Sequence, residues 1–185
     1  MIDKLRLLNP FKPIIAADDA GAAARAGAVG AFLTVVSSLY GGVRLYLHRD
    51  QLLAIARQSA SAPGQDPEVT RQTAAMMEGL VTYTPLVATV IMVLLYLVFG
   101  AIQWRRRTAM IPLIMFLFSA YGVVVGLLGF LNPQTQIQSE AFGISIWERG
   151  VSWIFAVIVM ALFWAGFRGG NRLKKIGAAP DISTF

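Results

Sequence analysis

Four stretches of this chain hold no Asp, Glu, Lys or Arg, and each is long enough to cross a lipid bilayer. They cover residues 26–43, 79–104, 108–139 and 150–167, which is 18, 26, 32 and 18 residues. A helix needs about 20 mostly apolar residues to pass a hydrocarbon core about 30 Å thick. Flanking arginines let the two shorter stretches reach, because their aliphatic stems lie along the core edge while the charge stays wet. Asn132, Pro133 and the polar run after them trim the third stretch to one crossing that ends near Leu131. A β-barrel would need segments of about 10 residues with alternating polarity, and VATVIMVLLYLVFG over residues 87–100 does not alternate.

Only 14% of the residues are charged and 56% are hydrophobic, against about 25% charged in a soluble domain. Together with the four apolar stretches, this excludes a water-soluble globule and a disordered chain. The absence of cysteine excludes a disulfide scaffold and thiol redox chemistry. The expected fold is therefore all-α: a polytopic integral membrane protein built as an antiparallel four-helix transmembrane bundle, with spans near 25–46, 79–103, 109–131 and 149–168. Residues 1–17 form an N-terminal segment before a transmembrane domain over 18–168, and 169–185 form a C-terminal tail. Ile2, Leu5 and Leu8 beside Lys4 and Arg6 fit a short interfacial helix or an unordered start, and no cleavable signal is expected in the first dozen residues.

Four crossings put both termini on one side. That side then carries eleven of the sixteen basic residues, among them Arg105, Arg106, Arg107, Arg168 and Lys175, against four acids; the other side carries five against six. Basic residues near span ends stay cytoplasmic, so both termini are expected there, in a bacterial-type inner membrane. The net charge of +6 thus describes orientation, and no nucleic-acid partner is implied. Past the first span, RLYLHRDQLLAIARQSA keeps a helical period. Asp66, Pro67 and Glu68 then carry a helix-start signature of side-chain cap, first-turn proline and acid on the positive end of the dipole. Residues 47–78 are therefore expected to form an outer hairpin of two long helices, serving either a partner or their own mutual packing.

Membrane chemistry usually shows itself as a titratable or ligating group at depth, and no span interior offers one. The single histidine, His48, falls just past the first span, so a haem held by two histidines of this chain is excluded. Small multidrug exporters are similar in having four helices, but they rely on a glutamate within the first, which this chain lacks. Asp18 and Asp19 with the Arg105–Arg107 triplet are the nearest approach to an inner-leaflet lipid-modifying enzyme; the triplet also suits anionic lipid headgroups. No catalytic residue, cofactor or metal is expected.

The best-formed signals concern helix packing. Gly122 and Gly126 make a G-x-x-x-G in the third stretch. Gly27, Gly30, Ser37 and Gly41 make small-residue ridges in the first, and Ala161 with Ala165 a shorter one in the fourth. Residues four apart share a helix face, and small ones let a second backbone approach. The ridges serve packing within the chain or a homo-oligomer seam. The expected function is a non-catalytic accessory, assembly or structural subunit whose partners are lipid and other helices. An oligomeric channel or facilitator is the alternative, lined by hydroxyls such as Thr34, Ser37, Thr89 and Ser119.

Overall fold

A computed structural model describes residues 13–60, 67–132 and 145–177, and within them every regular element is a helix. In chain order these are α1 (Ala17–Leu47), α2 (Arg49–Ala60), α3 (Pro67–Arg106), α4 (Met110–Leu131) and α5 (Ile146–Gly177). Four of them, all but α2, are long and apolar enough to cross a membrane, so the count read from the uncharged gaps holds. The interfacial start around Leu5, the cap at Asp66, the loop with Phe142 and Ile144, and the tail beyond 177 lie outside the described residues.

The helices outrun the uncharged windows because charge at a helix end costs nothing in the headgroup region. α5 gains about two and a half turns beyond the sequence-based end and continues to Gly177. It also starts earlier than expected, at Ile146, for a local reason. The Ser145 backbone N–H donates to Glu148 Oε2 at 2.9 Å, and the Glu148 N–H donates to Ser145 Oγ at 3.2 Å. This reciprocal pair is a capping box. It makes Ile146 and Trp147 first-turn residues with exposed side chains.

The first outer helix is not continuous with the first span. α1 stops at Leu47, His48 forms a turn, and α2 restarts at Arg49. His48 N–H still donates to the Arg44 carbonyl, and Gln51 and Leu52 N–H both donate to that of His48, so the interruption is local. Arg49 stacks on Tyr46 across it, 4.6 Å from the ring centroid. α3, in contrast, begins at Pro67 as its start signature implies and runs 40 residues.

The chain divides into two compact units, residues 35–95 and residues 1–34 with 96–185. In the smaller unit, α1 and α3 meet where Gly42 faces Thr89; a methyl added at Gly42 would lie 2.8 Å from Thr89 Oγ1. Thr89 itself donates to the Pro85 carbonyl at 2.8 Å. The hydroxyl that acts at this in-helix proline is thus one turn after it. In the larger unit the start of α1, the end of α3, the start of α4 and the end of α5 converge, and the deepest burial is there: Ala20, Ala23, Ala24, Ala28, Met115, Phe163 and Gln103.

Candidate helix-packing site

The centre of the larger unit is a seam in which two backbones touch. α1 presents Ala20, Ala23, Ala24 and Gly27 along one face, all buried. α5 presents Gly166, Gly169 and Gly170, also buried. A Cβ built on Gly169 would overlap the Ala24 backbone nitrogen and lie 2.6 Å from the Ala20 carbonyl oxygen. One built on Gly166 would lie 2.6 Å from the Gly27 Cα. With no side chain on one helix and at most a methyl on the other, dispersion and Cα–H contacts act over the full backbone surface.

The other two helices close on this seam. Pro112, third residue of α4, puts its ring against both glycines: a Cβ on Gly27 would be 2.9 Å from its Cγ, and one on Gly166 3.1 Å from its Cβ. The missing proline N–H costs little there, because the first four N–H groups of a helix have no partner within it. A Cβ on Gly170 would lie 2.7 Å from backbone atoms of Thr108 and Ala109. From α3, the Gln103 side chain, 1% exposed, donates from Nε2 to the Ala24 carbonyl at 3.0 Å and accepts from the Thr108 hydroxyl at 3.1 Å. One amide therefore ties α3 to α1 and to the α3–α4 loop. Arg25 lies over Trp104 at 5.7 Å nearby, and Phe116, Trp164 and Phe167 stack in series at 5.3 and 5.5 Å.

Each residue singled out in the sequence has a definite place. Gly27 lies in the seam, and Gly30 packs against Leu162 and Phe163. Ser37 is exposed, Gly41 is half-buried with nothing within 4 Å, Ala161 is half-buried and Ala165 is buried. The G-x-x-x-G of α4 stands apart. Gly122 has no atom within 4 Å of its missing Cβ, and Gly126 meets only the edge of Trp153 at 3.4 Å. Tyr121, Val125 and Phe118 beside them are exposed. Arg105 and Arg106 are exposed at the end of α3. Arg107 adopts φ 49°, the left-handed turn that ends many helices, and its N–H donates to the Gln103 carbonyl. Its guanidinium reaches the first turns of α1, 3.4 Å from where a Gly21 methyl would be. Asp18 and Asp19 occupy the first turn of α1. His48 is half-buried at the α1–α2 turn. Among the described residues no three His, Cys, Asp or Glu side chains gather as a metal-binding group.

Two elements of the site escaped the sequence. Gln103 is a lone amide beside Trp104 and three arginines, with no spacing to mark it. The glycines at 166, 169 and 170 flank Arg168 and read as the end of a span. Comparison with protein-family models, curated proteins and solved structures found no match.

Proposed function

We propose that the chain is a non-catalytic integral membrane protein, an accessory, assembly or structural subunit that works through helix contacts with a partner in the membrane. Its spans form an antiparallel four-helix bundle with both termini on the cytoplasmic side of a bacterial-type inner membrane, as the distribution of basic residues supports. The outer residues 47–78 extend the bundle as a hairpin. One observation carries the functional reading. The close-packing glycines Gly27, Gly30, Gly166, Gly169 and Gly170 are used up within the chain, whereas Gly122 in the G-x-x-x-G of α4 is open, with no described atom within 4 Å of a Cβ there. A surface that admits a backbone but holds none within its own chain suits a helix from another copy or another protein. The channel alternative draws no comparable support, because two of the hydroxyls it needs already donate to their own helices: Thr34 to the Gly30 carbonyl and Thr89 to that of Pro85.

The test is affinity purification from native membranes in mild detergent, comparing the wild type with Gly122→Ile. A membrane protein or second copy recovered in fixed proportion with the wild type is expected to fall about tenfold, the effect of losing about 1.4 kcal/mol at the contact. Thermal unfolding of the variant is expected to match the wild type, since no described residue lies within 4 Å of a Cβ at that position. Undiminished recovery refutes the reading.

A further inference from the structure

At the end of α5 the residues Arg168, Asn171, Arg172 and Lys175 follow one another at spacings of three, one and three. On a helix this places them on a single face. Together with Phe167, and with Ile14 from the segment before α1, they line a cavity of about 210 Å³. The walls are of two kinds: three cations and an amide on one side, an aliphatic and an aromatic side chain on the other. Arg172 Nε is buried and has no hydrogen-bond acceptor. An N–H taken out of water without an acceptor costs about 1–3 kcal/mol, so this one, in the cavity lining, marks a place where an acceptor belongs.

Depth narrows the choice of acceptor. Phe167 is the last residue of the uncharged stretch in the fourth spanning helix, and Arg168 the first charge after it. From Arg168 to Arg172 the helix rises about 6 Å, close to the thickness of one headgroup layer. The cations therefore stand at the level of lipid phosphates, and Phe167 at the level where acyl chains begin. Mobile solvent anions would gain nothing from the apolar wall, whereas a phospholipid uses both walls.

We propose that this cavity is a binding site for the phosphate headgroup of an anionic phospholipid, with Arg172 and Lys175 as its principal cation contacts, Asn171 as a neutral donor and Phe167 against the upper acyl chain. It is separate from the exposed Arg105 and Arg106, and it does not depend on the partner reading above. Lipid bound here would fasten the end of α5 to the membrane surface next to the α1–α5 seam.

The full-length protein, purified in mild detergent, is titrated with phosphatidylglycerol, with phosphatidylcholine of the same acyl chains, and with inorganic phosphate, and retained adducts are counted by native mass spectrometry. Phosphatidylglycerol is expected to be retained over phosphatidylcholine, with a loss of about fivefold for each basic residue removed. Lys175→Gln should thus lose about fivefold, and Arg172→Gln with Lys175→Gln should abolish the preference. Arg105→Gln with Arg106→Gln should leave it intact. Lys175 is exposed, so its variant decides the matter even if loss of Arg172 perturbs folding. Equal retention of the two lipids by the wild type overturns the proposal, as does an unchanged preference in Lys175→Gln. Adducts with inorganic phosphate that phosphatidylglycerol does not displace overturn the lipid assignment and leave a soluble phosphate site.

Discussion

Adding one methyl group at Gly169 is expected to cost more stability than any other single alanine substitution in the chain. Three backbone atoms crowd that Cβ position: it overlaps the Ala24 nitrogen, with the Ala20 carbonyl oxygen at 2.6 Å and the Ala23 carbonyl carbon at 2.8 Å. A side-chain neighbour could rotate away, but a helix backbone moves only as a body, and here that means separating α1 from α5. Overpacking a well-packed interior costs about 1–3 kcal/mol and occasionally more. Gly169→Ala should fall at or above the top of that range, because the strain is met by two whole helices. Gly122→Ala is the matched control: the same change in a spanning helix, with no neighbour within 4 Å, should stay within about 0.5 kcal/mol of wild type. Unfolding both variants in one detergent measures the difference. Equal stabilities would mean that the α1–α5 contact is not close in the folded protein.

The second large effect is expected at Gln103. Its amide is buried, donates to the Ala24 carbonyl and accepts from Thr108. Gln103→Leu keeps most of the volume but removes both bonds and leaves the Thr108 hydroxyl without its acceptor. A buried polar group left unsatisfied costs about 1–3 kcal/mol, and the loss should be near the upper part of that range because no water replaces the amide. Thr108→Val alone should cost about 0.5–1.5 kcal/mol, the net worth of one hydrogen bond. In the double variant the two losses should fall short of additive, since Thr108 has nothing left to lose once the glutamine is gone. Full additivity in such a cycle would show that the two side chains act independently.

These positions show which layers of the structure were legible in the sequence and which were not. Four spanning helices follow from where charge is absent, because lipid tolerates almost nothing else. The start of α3 at Pro67 was legible because a cap, a proline and an acid occupy consecutive places. The start of α5 was equally legible as Ser145-x-x-Glu148, but a span bounded by charge began only near 149. The break at His48 had no such marker: the helical period of the apolar residues passes through it unchanged. Within the site, Gly27 and Gly30 stand out as a ridge in a small-residue-rich span. Two of the α5 glycines packed in the same site do not, because Gly169 and Gly170 follow Arg168 and resemble a helix stop. A helix is stopped by the backbone conformation that a glycine permits, not by glycine as such, and here the pair serves close approach. Conversely, the clearest motif in the chain, Gly122 with Gly126, meets no second backbone among the described residues: a Cβ on Gly126 would reach only the edge of Trp153, and one on Gly122 nothing within 4 Å. Spacing shows that a face can pack; only the fold shows whether it does.

The most direct test of a partner helix on α4 uses the fact that the chain contains no cysteine. A single cysteine at Gly122, carrying a photoactivated crosslinker, is irradiated in native membranes beside a control cysteine at Gly150, which is equally open, with nothing within 4 Å. A discrete adduct of one mass from position 122, absent from position 150, is the predicted result, and its mass distinguishes a second copy from another protein. No protein adduct from position 122, or the same set of adducts from both positions, would contradict it.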